Sequence, residues 1–118
     1  MKSHMDLNAW KNSMSLVYVI YACTNSFPKH EQFGLTNQLR RAAVSIPSNI
    51  SEGASRHSNA EFIRFLRIST GSLSEIETQL IIACHLGYLK EKELENLKSQ
   101  IILIRAQIAG LIRKLSEG

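Results

Sequence analysis

The 118-residue sequence predicts an all-α fold: an antiparallel up-down-up-down four-helix bundle, one domain spanning residues 1–118. Three observations carry that expectation. Apolar residues recur at alternating spacings of three and four through four long segments. The connections between those segments are only a few residues long, which favours antiparallel neighbours. Two prolines and six glycines leave room for long helices, and no segment alternates with a period of two.

Helix one is expected from about Asp6, as N-cap, to Ser26. Leu7, Trp10, Met14, Val17, Tyr21 and Thr24 form its seam, with Leu16, Val19 and Ile20 outside it. On this reading Trp10 and Met14 are packing residues. Phe27-Pro28 ends the helix, because proline pushes the preceding residue out of helical geometry.

Helix two begins near Leu35 or Thr36. Its stripe is Leu35, Leu39, Ala42, Ile46 and Asn49 or Ile50. Pro47 falls inside and removes one backbone hydrogen bond, at about 3 kcal/mol. The spacing carries through, so the expectation is one helix kinked at Pro47, with a serine among Ser45, Ser48 and Ser51, or water, meeting the freed Ala43 carbonyl. Gly53 either ends the helix or admits another backbone.

Ser58-Asn59-Ala60-Glu61 reads as a capping box opening helix three, Asn59 to about Leu86. Phe62, Leu66, Ser69, Leu73, Ile76, Leu80 and Ala83 form its stripe, and Gly87 is its C-cap glycine. Helix four starts near Lys90. Leu94, Leu97, Ile101, Ile104, Ile108, Leu111 and Leu115 repeat across three heptads, with glutamates at its start and Arg113-Lys114 at its end. Ile102, Leu103 and Ile112 fall off that seam. Excess apolar residues on three helices fit either a self-association surface or a broad core stripe.

An apolar content of 44% and a charged content of 20% belong to a globular chain. Residues Met1 to Asp6 carry no apolar signal-peptide core, and Leu16–Cys23 is too short to span a bilayer. Cys23 and Cys84 lie in apolar helical runs and read as buried free thiols, so a cytoplasmic protein without membrane contact is expected. No Glu-x-x-His repeat, Cys-x-x-Cys, glycine-rich phosphate loop or nucleophile elbow occurs. Adjacent Cys84 and His85 point about 100° apart on a helix and form no nucleophile–base pair. The expectation is a non-enzyme with no cofactor and no metal.

Charge supplies the one functional lead. The net charge is +4, and Leu35–Gly71 holds Arg40, Arg41, Arg56, Arg64 and Arg67 against Glu52 and Glu61. The planar guanidinium suits phosphate. Arg41, Ser45, Ser48, Glu52 and Arg56 follow one line on helix two, and Ala60, Arg64, Arg67, Gly71 and Ser74 follow one on helix three. If those helices are neighbours, the two lines merge into one patch. A solvated face fits the same pattern. Aromatic residues are scarce within the lines, which points away from base stacking and toward backbone recognition of a folded or duplex nucleic acid.

Several blocks are also familiar: Leu7-x-x-Trp10, Phe33-Gly34-Leu35-Thr36, the run from Gln38 to Gly53, Glu61-Phe62-x-x-Phe65-Leu66, and Gly71-Ser72-Leu73-x-Glu75-x-Glu77-Thr78-Gln79-Leu80. They resemble the bacterial four-helix-bundle family whose genes occur in intervening sequences of 23S ribosomal RNA. The resemblance runs from about Leu7 to the end. It implies a bundle that assembles into a ring, typically a pentamer, and brings no catalytic residues. It also brings in an accessory protein of diversity-generating retroelements that binds nucleic acid and a reverse transcriptase. Lys90 departs from the serine-like cap that relatives often carry.

The combined expectation is a homo-oligomer that binds structured RNA or other nucleic acid. Arg40, Arg41, Arg56, Arg64 and Arg67 would contact phosphate, with His57 at the edge. The alternative is a protein scaffold that docks a partner enzyme such as a reverse transcriptase through off-seam apolar residues.

Overall fold

A computed structural model describes residues 3–118; Met1 and Lys2, the start of the N-terminal lead read above, lie outside them. Four helices make the fold: α1 Asn8–Thr24, α2 Leu35–Ala54, α3 Asn59–His85 and α4 Glu91–Glu117. No strand occurs among the described residues. Each helix packs on two others, α1 on α2 and α4, and α3 on α2 and α4. Cross-helix hydrogen bonds pair rising with falling numbers. Gln79 donates to Gln38, Ser69 to the Ile46 carbonyl, and Arg105 to Ser74 and Glu77; Asn59 donates to the Leu115 carbonyl. α2 and α3, and α3 and α4, therefore run in opposite directions, in a body of 46 × 24 × 19 Å.

The core follows the predicted stripes on three helices. Leu39, Ile46, Ile50, Leu73, Ile104 and Ile108 are among its fully buried members. Helix one differs. Its buried face is Ala9, Ser13, Leu16, Val17, Ile20 and Thr24. Leu16 and Ile20, read as off-seam, are fully buried, whereas Tyr21 is exposed. The expected seam is thus the edge beside α2. Large apolar residues dominate a spacing pattern, whereas small Ala9 and Ser13 are buried without standing out in it.

Helix boundaries shift in ways the local hydrogen bonds explain. Asp6 is not the N-cap of α1. It belongs to a 3-10 turn, His4–Asp6, which Ser3 caps by accepting from the Met5 N–H at 3.1 Å. Ser58 caps α3 by accepting from the Glu61 N–H at 3.3 Å. The reciprocal half of that box is absent among the described residues, because the Glu61 carboxylate is engaged by Arg64. At α4 the missing serine-like cap is offset from the other side: Glu93 Oε1 accepts from the Lys90 N–H at 2.9 Å. Gly87 has φ +84°, the left-handed geometry expected of a C-cap glycine.

α2 continues without a break through Pro47. No side chain among the described residues donates to the Ala43 carbonyl. Ser45, the nearest serine, donates instead to the Ala42 carbonyl at 2.7 Å and shares a 2.6 Å hydrogen bond with Ser72. Gly53 lies inside α2, and its role is close approach. A Cβ there would sit 2.8 Å from Phe65 Cβ and 3.0 Å from Phe62 Cδ1. The loops at one end of the bundle are joined by Glu31. Its carboxylate accepts from the Leu35 N–H at 3.1 Å and from the Tyr88 hydroxyl at 2.9 Å. Those two hydrogen bonds hold the Glu31 carboxyl below its usual range.

Candidate nucleic-acid interface

Neighbouring positions on α2 have different roles. Arg40 reaches across to the C-terminal turn of α1. Its Nε donates to Thr24 Oγ1 at 2.9 Å, and its Nη2 donates to the Tyr21 carbonyl at 3.3 Å and to Asn25 Oδ1 at 3.5 Å. The guanidinium also lies 4.6 Å from the Tyr21 ring centroid. Arg40 is a clamp between α1 and α2. Arg41, next in sequence, is exposed and makes no side-chain hydrogen bond or ion pair among the described residues. Arg40→Ala is expected to cost about 1–2 kcal/mol of stability, since hydrogen bonds from a charged donor are the stronger kind. Arg41→Ala should stay within about 0.5 kcal/mol. Thermal denaturation followed by circular dichroism separates the two. Equal melting temperatures for both variants would contradict the clamp.

A second basic group gathers at the α2–α3 turn. Arg56 and Arg64 lie 5.1 and 4.5 Å from the Phe65 ring centroid. Arg56 pairs with Glu52 at 3.1 Å, and Arg64 with Glu61 at 3.2 Å. Hydrogen bonds from Arg64 hold the Glu61 carboxyl below its usual range. All four side chains are partly or well exposed, so solvent screens each pair and either guanidinium is exchangeable to a phosphate. His57, in the turn itself, is exposed and adopts φ +58°.

The two arginine lines read from the sequence therefore meet only at the Phe65 end. Arg67 turns toward α4, where it lines a hollow with Thr70, Arg105, Ala109 and Ile112. Arg105 was not singled out from sequence, yet it bridges α4 to α3 through Ser74 and Glu77. Along α2, Arg41 stands about 20 Å from Ala54, thirteen residues at 1.5 Å each, and Arg56 lies beyond that end in the α2–α3 turn. The sequence analysis gives Tyr18 and Asn37 no role and places Tyr21 in the apolar seam of helix one, whose buried face is rotated away from it. Tyr21 and Asn37 form one wall with Arg40 and Arg41.

Burial pushes the Cys23 thiol up to about 11, which leaves little thiolate at neutral pH. Among the described residues no three His, Cys, Asp or Glu side chains come together as metal ligands, and no helix is long and apolar enough to cross a membrane.

With helices and basic surface placed, comparison with known proteins becomes informative. Residues 5–110 match the family described as 23S rRNA-intervening sequence protein. This chain belongs to that family. A solved structure with the same fold is a protein of unknown function from the S23 ribosomal protein family of Bacteroides thetaiotaomicron VPI-5482. The likeness has a TM-score of 0.78 at 22% identity and covers 88% of this chain and 97% of that one. No curated protein matches. Neither description names a catalytic activity.

Proposed function

We propose that this intervening-sequence family protein is a non-enzymatic homo-oligomeric bundle that binds structured RNA or a related nucleic acid through the basic outer surface of α2 and the start of α3. The observation that carries the reading is Arg41, an exposed and uncommitted guanidinium beside the clamped Arg40. The exchangeable pairs at Arg56 and Arg64 extend the surface. The family's name, tied to ribosomal RNA, agrees with it. Arginine suits this task because its donor fork matches two phosphate oxygens.

Fluorescence anisotropy with a labelled RNA hairpin and a DNA duplex, titrated over several salt concentrations, tests the proposal. Affinity should fall steeply with salt, by roughly 0.9 log units per log unit of salt for each phosphate contact. Arg41→Glu combined with Arg64→Glu should weaken binding at least about tenfold and flatten that slope, while helicity stays constant because both side chains are exposed. Unchanged affinity in the double variant would remove this surface from consideration.

A second reading draws on the opposite side of the molecule. Ile81, Ile102 and Leu103 are exposed aliphatic residues on α3 and α4. A protein partner held there would bind in a salt-insensitive way.

A further inference from the structure

We propose that the groove between α1 and α2 takes an unpaired nucleotide of RNA, with the base against Tyr21 and Tyr18 and its phosphate on Arg41. This deepens the nucleic-acid reading and rests on it.

Both helices build the groove. Tyr21 from α1 and Asn37, Arg40, Arg41, Val44 and Ser45 from α2 line a hollow of about 580 Å³. Val44 also lines the next hollow along the same helix pair, where it meets Tyr18, Met14 and Pro47. Neither wall contains a carboxylate. Glu75 borders only the hollow on the far side of Arg41, between α2 and α3. The charge in the groove is thus positive and suits an anion.

The rings supply the other half of a nucleotide. Tyr18 is 64% exposed and Tyr21 42% exposed. They are three residues apart on one helix, so they sit about 4.5 Å apart along its axis. Tyr21 is also held in place. The Arg40 guanidinium lies 4.6 Å from its centroid and is itself fixed by Thr24 and the Tyr21 carbonyl. A pinned ring is a stacking platform that loses little entropy on binding. Asn37, whose side chain makes no hydrogen bond among the described residues, offers both a donor and an acceptor for a base edge.

The distribution of side-chain types favours a nucleotide over a protein at this face. Here the exposed apolar groups are mostly rings beside guanidinium groups. Val44 is the aliphatic exception in the groove, whereas Ile81, Ile82, Ile102 and Leu103 form a larger exposed aliphatic set on α3 and α4. Folded RNA presents unpaired bases in loops and bulges, which a protein reads by stacking.

The test measures anisotropy of twelve-nucleotide oligo(A), oligo(U) and a matched RNA duplex, at one salt concentration. The variants are Tyr21→Leu, Tyr21→Phe and Tyr18→Ala. Tyr21→Phe keeps the ring, and both Tyr21 variants keep the backbone carbonyl that Arg40 uses. Tyr18→Ala cannot unfold a bundle in which that side chain is mostly exposed. Single strands should bind more tightly than duplex, with oligo(A) ahead of oligo(U). Tyr21→Leu and Tyr18→Ala should each lose roughly tenfold for oligo(A), and Tyr21→Phe should lose nothing. Equal binding of single strand and duplex, with no effect of the tyrosine variants, would overturn the groove while leaving phosphate recognition by Arg41 in place. Absence of binding to all three ligands at low salt would overturn both.

Discussion

Replacing Gly53 by valine is expected to destabilise the bundle by about 3 kcal/mol or more, because the site has no room for even the first added carbon. A Cβ would meet Phe65 Cβ at 2.8 Å, Phe62 Cδ1 at 3.0 Å and the Phe62 carbonyl oxygen at 3.3 Å. Phe65 Cβ and the carbonyl are not the free ends of flexible chains, so relief requires α2 and α3 to separate. Helix propensity acts the other way, since alanine is favoured over glycine by about 1 kcal/mol inside a helix. Packing should win: Gly53→Ala is expected to lose about 1–2 kcal/mol net. Gly71 provides the contrast. It has no atom within 4 Å of an added Cβ, so Gly71→Ala should gain a few tenths to about 1 kcal/mol. Urea denaturation of the three variants measures all of this. A Gly53→Ala variant as stable as the parent would show that the helices are not locked at this point. The consequence extends to the surface, because Phe65 is the ring on which Arg56 and Arg64 rest. Moving α3 outward would spread that basic group.

The same region shows how far the sequence could be read. The four helices were legible because each carries long stretches of spacing that only a helix satisfies, and because Ser58 and Gly87 mark ends by their chemistry. Every residue of the expected α3 stripe is buried, and Phe65, Ser72 and Gln79 join them. The face of α1 did not, since Ala9 and Ser13 bury without looking apolar, while Trp10, Met14 and Tyr21 look apolar and stand at the edge. That rotation hid the groove described above.

The basic residues show a second limit. Spacing within one helix puts residues on a common line but not beside a particular neighbour. Arg64 and Arg67 share such a line, yet one meets Phe65 and the other lines the α3–α4 hollow. Arg40 and Arg41 are chemically identical in sequence. Only the carbonyl of Tyr21 and the hydroxyl of Thr24, brought in by tertiary packing, separate a clamp from an available cation.

Aspartate at position 101 is expected to unfold the protein, and aspartate at position 102 to leave it folded but alter its mass in solution. Ile101 is 0% exposed and Ile102 is 61% exposed, although they are adjacent. A carboxyl group at 101 would have to be buried among Leu73, Ile104 and other core residues without a partner, a loss of more than about 4 kcal/mol. At 102 the cost should be only about 0.5 kcal/mol of helix propensity. The surface around Ile102 gives this second substitution its meaning. Arg105 joins Ser74 and Glu77 across the α3–α4 boundary. Ile81 on α3 and Ile102 on α4 are both exposed. Under the homo-oligomer proposed above, this α3–α4 surface is where a second molecule would cover them. Sedimentation equilibrium of the parent should then give a multiple of 13.3 kDa, and Ile102→Asp should shift it toward the single chain with unchanged circular dichroism. A parent that sediments at 13.3 kDa across the concentration range would rule out self-association. A parent oligomer unaffected by Ile102→Asp would place the contact elsewhere and return the isoleucine pair to the protein-scaffold reading.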